Sequence, residues 1–401
     1  MLIREKYLSK IREFYDSDLI KIITGIRRCG KSVLLKQIMN ELKDNGIKED
    51  HIIYINFEDV EYSFIGDYLD LNKYIKDKIT DNQKYYLLFD EIQMVDKWEK
   101  VINSFKATLN VSIFVTGSNS KLLSSELATL LSGRYVSFKV QPFAFSEVVR
   151  LKGLKDKRNI EDAFNDYLLW GGLPQRFEFK TNDGMKTYLA DVFDAIVLKD
   201  IVKRHNIKNV TLFQRVMEYL ITNPSQAFSP SKMLGEFERA KIPVSTKTVY
   251  ECLDYAEETL LMNKVHAYDI RGKRILSRND KYYLTDLGLG QILNVNKKVQ
   301  FGAYLENIVY NELIYRGYNV SIGNNNGKEI DFVATKHNLI EYYQVAYSLQ
   351  NEETEEREFG AYKNIDDNYP KYVISIDTLD YSQNGIIHKN VIDWLLEENY
   401  V

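Results

Sequence analysis

Five short apolar runs alternate with longer amphipathic stretches over the first 140 residues of the chain. The runs are rich in β-branched and aromatic residues and are bounded by polar ones, which is typical of strands. They cover residues 19–24, 52–57, 85–89, 111–115 and 135–140. The stretches between them carry apolar positions at helical spacing, as in residues 33–43 and 98–109. Strands separated by helices predict a parallel sheet with helices on both faces.

Beyond this region the apolar periodicity changes three times. Helical spacing dominates first and is interrupted by the turn Gly171-Gly172-Leu173-Pro174. Helical segments and two strand-like runs, at residues 261–268 and 274–284, come next. Helix, short turn, helix and hairpin is the order of a winged helix. The last block, from about residue 301, returns to a mixed α/β pattern.

Composition narrows the class of protein. The chain has 401 residues, 45% of them hydrophobic and 27% charged, which excludes a disordered or collagen-like chain. The net charge of −4 excludes a positive field over the whole protein but leaves room for a local basic patch. Two cysteines, Cys29 and Cys252, are too few for a disulfide framework. Without an apolar run of membrane-spanning length or a leader segment, we expect a cytoplasmic protein with no membrane partner.

The most specific motif follows the first predicted strand and fits the pattern G-x-x-x-x-G-K-[ST]. Glycines in such a loop let the backbone wrap a phosphate, and the amides of the following helix point at the anion. Lys31 supplies a cation to the β- and γ-phosphates, and Ser32 offers a hydroxyl to Mg²⁺. The predicted nucleotide-binding residues are Gly25, Ile26, Arg27, Arg28, Cys29, Gly30, Lys31, Ser32 and Val33.

Two further strands end in residues that suit phosphate chemistry. Asp90 ends the third run, at the position of a Mg²⁺-holding acid, and the adjacent Glu91 is placed to polarise water as a general base. Ser118 and Asn119 follow the fourth run, where polar residues face the ligand crevice of a parallel sheet. We expect one of these two to sense the γ-phosphate, with simple turn chemistry as the alternative.

Arg134 closes the segment Leu131-Ser132-Gly133-Arg134, just before the fifth strand. An arginine at the rim of a nucleotide fold acts in some ATPases as a finger that enters a neighbouring subunit. The alternative is a surface salt bridge.

With these motifs the chain resembles the AAA+ ATPases, and within them an archaeal and bacterial group whose loop reads Gly-x-Arg-Arg-x-Gly-Lys-Ser. Further marks of that group are residues 88–93, 116–118, 132–134 and 171–174. The resemblance covers most of the chain. It implies ATP rather than GTP as the nucleotide, with Mg²⁺, and a C-terminal region of unknown function.

The predicted hairpin is basic within an acidic protein. Six cations, among them Arg278 and Lys281, stand against two acids between residues 261 and 281. We expect Arg271, Lys273 and Arg274 to contact the DNA backbone. The alternative is a winged helix that packs against the ATPase core.

The C-terminal block is similar to the PD-(D/E)xK nucleases. Glu306 on a helix, with Asp331 and Gln344 on strands, matches the metal ligands of that family and predicts a second Mg²⁺ site, in which the neutral Gln344 is a weaker ligand than a carboxylate. Ala346 stands where those nucleases carry their lysine, so nothing obvious activates the attacking water. We therefore expect a nuclease-like domain with lost or reduced cleavage. The alternative is an unrelated α/β cap.

The expected architecture is α/β. It comprises a parallel-sheet P-loop NTPase (AAA+) core at 1–145, a helical lid at 146–206, a winged helix at 207–300 and a restriction-endonuclease-like domain at 301–401. The expected function is an ATPase that couples hydrolysis to DNA or to a protein partner, in a monomer or a homo-oligomer. Two alternatives stay open: an ATP-gated DNA endonuclease, and a STAND-like signalling scaffold that hydrolyses ATP slowly.

Overall fold

The computed structural model describes residues 2–123, 129–131, 133–202, 205, 207–222, 225, 230–276, 280–293 and 300–397. Ser132 and Arg278 lie outside the described residues. The chain divides into two compact units. The core unit comprises residues 1–141 and 258–260, and the second unit comprises residues 142–257 and 261–401.

The core unit is built on a five-stranded parallel sheet with the order β2-β3-β4-β1-β5. Its strands are β1 Ile20–Thr24, β2 Ile52–Asn56, β3 Tyr85–Asp90, β4 Val111–Gly117 and β5 Tyr135–Lys139. Its helices are α1 Glu5–Arg12, α2 Lys31–Asp44, α3 Tyr68–Lys78 and α4 Trp98–Thr108. Every residue of β1 and β3 is buried, as expected for parallel strands covered on both faces. The predicted α/β class is confirmed.

The order of the strands places a ligand crevice at one edge of this sheet. Strands β1 and β4 are neighbours, but the chain leaves β1 toward β2 and leaves β4 toward β5, on the opposite side. In open α/β sheets, ligands bind beyond the carboxyl ends of the strands where the connections diverge in this way. The residues after Thr24 and after Gly117 therefore flank the crevice.

Lys21, the second residue of β1, is a buried lysine. Its Nζ donates to Ser112 Oγ at 2.7 Å and to the carbonyl oxygen of Ser17 at 3.1 Å, and it lies 4.8 Å from the centre of the Phe114 ring. Burial, with a smaller contribution from Lys84, lowers the pKa of Lys21 from 10.5 to about 7.

Replacement of Lys21 by methionine is expected to stabilise the core unit. The pKa of Lys21 is lower in the folded chain than in the unfolded chain. Between these two pKa values, Lys21 is protonated in the unfolded chain and neutral in the folded chain. The stability of the wild type therefore falls as the pH drops from about 10 to about 7. Linkage alone gives a penalty of about 4 kcal/mol at pH 7, and the two hydrogen bonds that the variant loses offset about half of it. Lys21→Met should therefore raise the free energy of unfolding by about 2 kcal/mol at pH 7 and by less at pH 10. Denaturant titration at both pH values measures this, with the exposed Lys73→Met as control. Equal stability of Lys21→Met and the wild type at pH 7 would contradict the burial penalty.

The second unit contains ten α-helices among its described residues. The helices are α5 Phe145–Lys152, α6 Lys157–Trp170, α7 Asn182–Asp194, α8 Val210–Thr222, α9 Pro230–Arg239, α10 Thr246–Glu258, α11 Gly288–Gln291, α12 Phe301–Tyr315, α13 Glu352–Gly360 and α14 Val391–Leu396. A π-helix, Ala195–Val202, continues α7.

The strands of the second unit form two sheets. They are β6 Met262–Val265, β7 Ala267–Asp269, β8 Arg274–Ile275, β9 Lys281–Leu284, β10 Asn319–Asn325, β11 Lys328–Lys336, β12 Leu339–Val345, β13 Lys371–Ser375 and β14 Ile387–Asn390. Strands β6 and β9 pair alone, and the others form a sheet with the order β14-β13-β12-β11-β10-β7-β8.

The predicted hairpin is therefore not one continuous ladder. The sequence predicts strands over 261–268 and 274–284, but the structure divides each of them. Strand β7 leaves the β6–β9 pair at His266 and pairs with β10, where Ala267 is opposite Ile322. Ile270, just beyond β7, joins the apolar face formed by Ile330 and Val333. Residues 267–275, the wing hairpin, thus share a sheet with the C-terminal strands, and this sheet crosses the expected boundary at residue 300.

Gly171 is required by a buried carboxylate, and Gly172 by a backbone carbonyl group, because a Cβ on Gly172 would lie 2.2 Å from the carbonyl oxygen of Phe143. The N–H of Gly172 donates to Asp286 Oδ2 at 2.7 Å, and the N–H of Gly288 donates to Oδ1 at 2.9 Å. Gly171 has φ 70°, and a Cβ on it would lie 2.0 Å from Asp286 Oδ1. Arg176 completes the turn by donating from Nε to the carbonyl oxygen of Gly171 at 2.7 Å. The turn is thus a structural joint between the predicted lid and winged-helix regions.

The structure also bears on the cysteines and on membrane-spanning helices. Cys29 and Cys252 are both buried free thiols, so no disulfide joins them. No helix in the described part of the chain has the length and apolar character needed to cross a membrane.

Candidate functional site

The phosphate loop, residues 25–32, connects β1 to α2 at the crevice edge of the core sheet. Its backbone takes left-handed conformations at Arg28, φ 67°, and Gly30, φ 103°. Gly25 admits no side chain, because a Cβ there would lie 2.4 Å from the carbonyl oxygen of Val140. The first N–H groups of α2 have no acceptor within the helix and favour an anion at this end. This tight loop before a helix start fits a phosphate group.

The other loop side chains take distinct positions. Ile26 and Cys29 are fully buried, and burial raises the pKa of the Cys29 thiol. Arg27 forms an ion pair with Glu58 at 3.0 Å, whereas Arg28 is exposed. Ser32 and Val33, in the first turn of α2, are half-buried.

Lys31 is the cation at the centre of the loop. Its side chain is 4% exposed. The Nζ atom donates to the carbonyl oxygens of Gly25 at 3.1 Å and Ile26 at 3.3 Å. It also lies 3.5 Å from Glu91 Oε1. Lys31 therefore links the curled loop to the acid that follows β3.

Asp90 and Glu91 are held in place by residues from neighbouring strands. Asp90 is fully buried, and its carboxylate accepts hydrogen bonds from the hydroxyls of Thr116 and Tyr54, the latter at 3.2 Å. Glu91 has φ 55°, and its N–H donates to Thr116 Oγ1 at 3.0 Å. Thr116 on β4 thus bonds both acids and sets their relative position.

The Glu91 carboxylate is buried but stabilised as an anion. Burial alone would raise the pKa of Glu91, but Lys31, the Gln93 amide and the Ser118 hydroxyl bring the pKa below its ordinary value. Gln93 Nε2 and Ser118 Oγ both donate to Glu91 Oε2, the latter at 3.3 Å. An ionised carboxylate beside a lysine is an arrangement that can accept a proton from water.

The structure distinguishes the two candidate sensor residues. Ser118 faces Glu91, whereas Asn119 Nδ2 donates to Glu258 Oε1 at 3.1 Å. Both side chains are buried. Of the two, Ser118 belongs to the group around Lys31, and its role as a sensor stays a prediction.

Sequence reasoning missed several residues that support this site. Arg4 is buried, and its Nη1 donates to the carbonyl oxygens of Cys29 at 3.3 Å and Gln141 at 2.8 Å. No local pattern marks a lone arginine near the N-terminus as a support for the phosphate loop. Thr116 belongs to the motif at residues 116–118, but its two hydrogen bonds depend on the pairing of β3 with β4.

Arg134 does not approach the phosphate loop of its own chain. It is exposed, and its carbonyl oxygen accepts a hydrogen bond from the N–H of Ile20 at 3.1 Å, at the start of β1. The loop follows the other end of β1, about 16 Å along the strand. A finger role in a neighbouring subunit stays a prediction.

In the second unit, the basic surface is smaller than the sequence suggested. Arg271, Lys273 and Arg274 are exposed at the end of the wing hairpin. Lys264, however, pairs with Asp280 at 3.2 Å, and Lys281 is 4% exposed. Counting Lys281 among the surface cations was wrong, because its ammonium group lies against buried acids.

Lys281 instead reaches the predicted nuclease-like site. Its Nζ lies 3.0 Å from Glu306 Oε1 and 2.6 Å from Glu329 Oε1, and Tyr283 OH donates to Glu306 Oε1 at 2.7 Å. Burial alone would lower the pKa of Lys281, but Glu306, Asp331 and Glu329 raise it above its ordinary value. Glu306 is therefore already paired with a cation supplied by β9.

Asp331 and Gln344 lie beside this cluster. Burial, and then the charge of Glu306, raise the pKa of Asp331 well above its ordinary value. Gln344 Oε1 accepts the N–H of Asp331 at 2.6 Å, and its Nε2 donates to Glu358 Oε2 at 2.8 Å. Ala346 lies in an apolar face. Within the described ranges, no three His, Cys, Asp or Glu side chains are grouped to hold a metal ion, so the second Mg²⁺ site stays a prediction.

Comparison with known proteins identifies similar families and relatives. Residues 17–149 match the family model of an AAA domain, and residues 161–299 match that of a domain of unknown function (DUF8612). An uncharacterized protein of Haemophilus influenzae is 39% identical over 401 residues, which is 99% of each chain. The uncharacterized protein MJ1544 of Methanocaldococcus jannaschii is 31% identical over 91% of this chain and 83% of its own length. MJ0075 of the same organism, described as an uncharacterized ATP-binding protein, is 28% identical over 41% of this chain and 47% of its own length.

A solved structure of the Aeropyrum pernix ORC1 protein in complex with DNA aligns with a TM-score of 0.32 and 13% identity. The alignment covers 74% of this chain and 93% of that one. This similarity is too low to define the fold, and the fold class follows from the parallel sheet of the core unit.

Proposed function

This chain belongs to one family with the Haemophilus influenzae protein and MJ1544, and residues 17–149 form an AAA domain of the P-loop ATPase type; on this premise we propose that it binds ATP with Mg²⁺ and hydrolyses it. The observation that carries the proposal is the contact of Lys31 with both the phosphate loop and Glu91. The relative MJ0075, described as ATP-binding, is consistent with this nucleotide.

Binding depends on the loop backbone and on Lys31. The start of α2 favours the phosphate anions, and the buried Lys31 ammonium group offsets their charge. Ser32 and Asp90 would hold Mg²⁺, which neutralises phosphate charge when bound. Tyr54 and Thr116 orient the Asp90 carboxylate.

Glu91 is the proposed general base. Its carboxylate is ionised, because Lys31 and Gln93 keep its pKa low despite burial. Accepting a proton from water at Oε1 or Oε2 requires that the carboxylate hold one orientation, and the hydrogen bonds from Gln93 and Ser118 provide this. Ser118 is a positioning residue in this scheme.

Glu91→Gln tests the proposed hydrolysis. The amide keeps the shape of the side chain but accepts no proton, so we expect turnover to fall at least about 100-fold while ATP binding is retained. Steady-state phosphate release and binding of a fluorescent ATP analogue measure the two effects separately. Glu61→Gln, an exposed acid in the same unit, is the matched control. A Glu91→Gln protein that hydrolyses ATP as fast as the wild type would show that another group is the base.

We also propose that the wing hairpin contacts nucleic acid and couples it to the ATP cycle, with a protein partner as the alternative. Three exposed cations within four residues, Arg271, Lys273 and Arg274, favour a phosphate backbone. The Lys281–Glu306 ion pair supports contact without cleavage, because it occupies the acid that a nuclease would use for metal binding.

The double variant Arg271→Ala, Arg274→Ala is expected to bind DNA more weakly at every sequence and with a flatter salt dependence. Fluorescence anisotropy across a salt series measures this, with the exposed Lys186→Ala as control. ATP turnover with and without DNA, followed by a gel of that DNA, completes the test. Turnover that is indifferent to DNA would favour a protein partner, and cut DNA would favour the gated endonuclease.

A further inference from the structure

A cavity of about 440 Å³ lies in the second unit between the wing hairpin, the face of the large sheet and the loop 367–369. Its floor is apolar. Ile270, Val333 and Ile340 line it; the first two belong to the apolar core of this unit, and Ile340 packs against that core. The volume is within the range of sites that bind small organic molecules.

Three tyrosines line the walls of the cavity, and of these Tyr369 is 41% exposed, Tyr268 is half-buried and Tyr342 is 3% exposed. Tyr342 OH donates to Asp367 Oδ2 at 2.7 Å, and the rings of Tyr342 and Tyr369 are 6.3 Å apart. Lys371 Nζ holds the loop by donating to Asp367 Oδ1 at 2.9 Å and to the carbonyl oxygen of Tyr369 at 3.1 Å. The aromatic walls are therefore formed and supported before a ligand enters.

Lys273 supplies a cation at the rim. It is exposed, and its ammonium group has no hydrogen-bond or ion-pair partner in the part of the chain that the structure describes. Arg271 and Arg274 are also exposed, with long contacts of 3.4 Å to the carbonyl oxygen of Asn364 and 3.7 Å to Asp269. Of the three wing cations, Lys273 is the one that lines this cavity and could meet an anion at its mouth.

We propose that the cavity receives one unpaired nucleotide of a nucleic-acid strand, with its base against the exposed ring of Tyr369 and its phosphate at Lys273. Aromatic rings stack on any base, and an apolar floor excludes water from the base faces. The cavity is too small for a base pair, so it selects single strands over duplex. This inference rests on the nucleic-acid contact proposed for the wing hairpin.

The test compares binding of an oligothymidine and of a blunt duplex to the full-length protein. Tyr369→Ala should weaken binding of the single strand about tenfold and leave duplex binding unchanged. Phe179→Ala removes an aromatic ring of similar exposure elsewhere in the unit and should change neither. Thermal unfolding of each variant checks that the fold is intact.

Photocrosslinking locates the base directly. An oligonucleotide that carries 5-iodouracil should crosslink to the peptide containing Tyr369, and Lys273→Gln should reduce the yield. A crosslink confined to other peptides would overturn the proposal, as would equal losses of single-strand and duplex binding in Tyr369→Ala.

The outcomes separate this proposal from the ones on which it rests. If Arg271→Ala with Arg274→Ala weakens binding but Tyr369→Ala changes nothing, the wing contact stands and the nucleotide pocket is wrong. If none of these variants changes binding, the wing contact itself is wrong and the pocket falls with it. ATP turnover measured without nucleic acid tests the Lys31 site separately, and the control Phe179→Ala should keep the wild-type rate.

Discussion

Lys31→Ala is expected to abolish measurable ATP binding and, with it, turnover. The variant loses the buried cation that offsets phosphate charge, and it leaves the ionised Glu91 carboxylate without that partner. An uncompensated buried acid then repels the incoming phosphates. The combined effect should weaken ATP binding by more than about 100-fold.

The repulsion part of this prediction has its own test. If the unpaired Glu91 contributes to the loss, the double variant Lys31→Ala, Glu91→Gln should bind ATP more tightly than Lys31→Ala alone, while remaining inactive. Calorimetric titration with ATP and Mg²⁺ measures both proteins. Lys36→Ala, which removes an exposed lysine from the same helix, is the control. Unchanged affinity in Lys31→Ala would remove the basis for the proposed nucleotide site.

Lys281→Met is expected to destabilise the second unit by about 3–5 kcal/mol. Breaking a buried ion pair by removing one partner leaves the other charge without compensation. Glu306 would keep only the hydrogen bond from Tyr283, beside the buried Asp331. Denaturant titration of the full chain measures the free energy of unfolding, taken from the transition in which the second unit unfolds.

Two further variants separate the charge effect from packing. Glu329→Gln removes the other acid paired with Lys281, but the Glu329 side chain is 49% exposed, so we expect a loss below about 1 kcal/mol. Lys281→Met combined with Glu306→Gln removes both buried charges and should recover much of the lost stability. Wild-type stability in Lys281→Met would mean that Lys281 does not compensate Glu306.

The phosphate loop was predictable in full because its residues are contiguous. A glycine-rich loop between an apolar strand and an amphipathic helix has few ways to fold, and the structure places residues 25–30 between β1 and α2, with Lys31 and Ser32 in the first turn of α2. The acid pair was predictable for a related reason. Asp90 ends a buried strand, and neighbouring parallel strands end at the same edge of the sheet.

Contacts between distant segments were not predictable from spacing. Whether Ser118 or Asn119 faces Glu91 depends on how the chain turns after β4. The placement of Arg134 at the far end of β1 follows from the register of β5. Local patterns carry no information about either.

The sequence by itself determined the nucleotide loop, the following acids and the parallel α/β class, because these follow from local chain order and apolar periodicity. Only the tertiary structure decided that Lys281 neutralises Glu306, that the wing hairpin joins the C-terminal sheet, and that Asp286 requires a glycine at position 171. Each of these depends on strand register and buried charge compensation between segments. Such pairings are selected by the packing of the whole unit, and no short pattern in the chain encodes them.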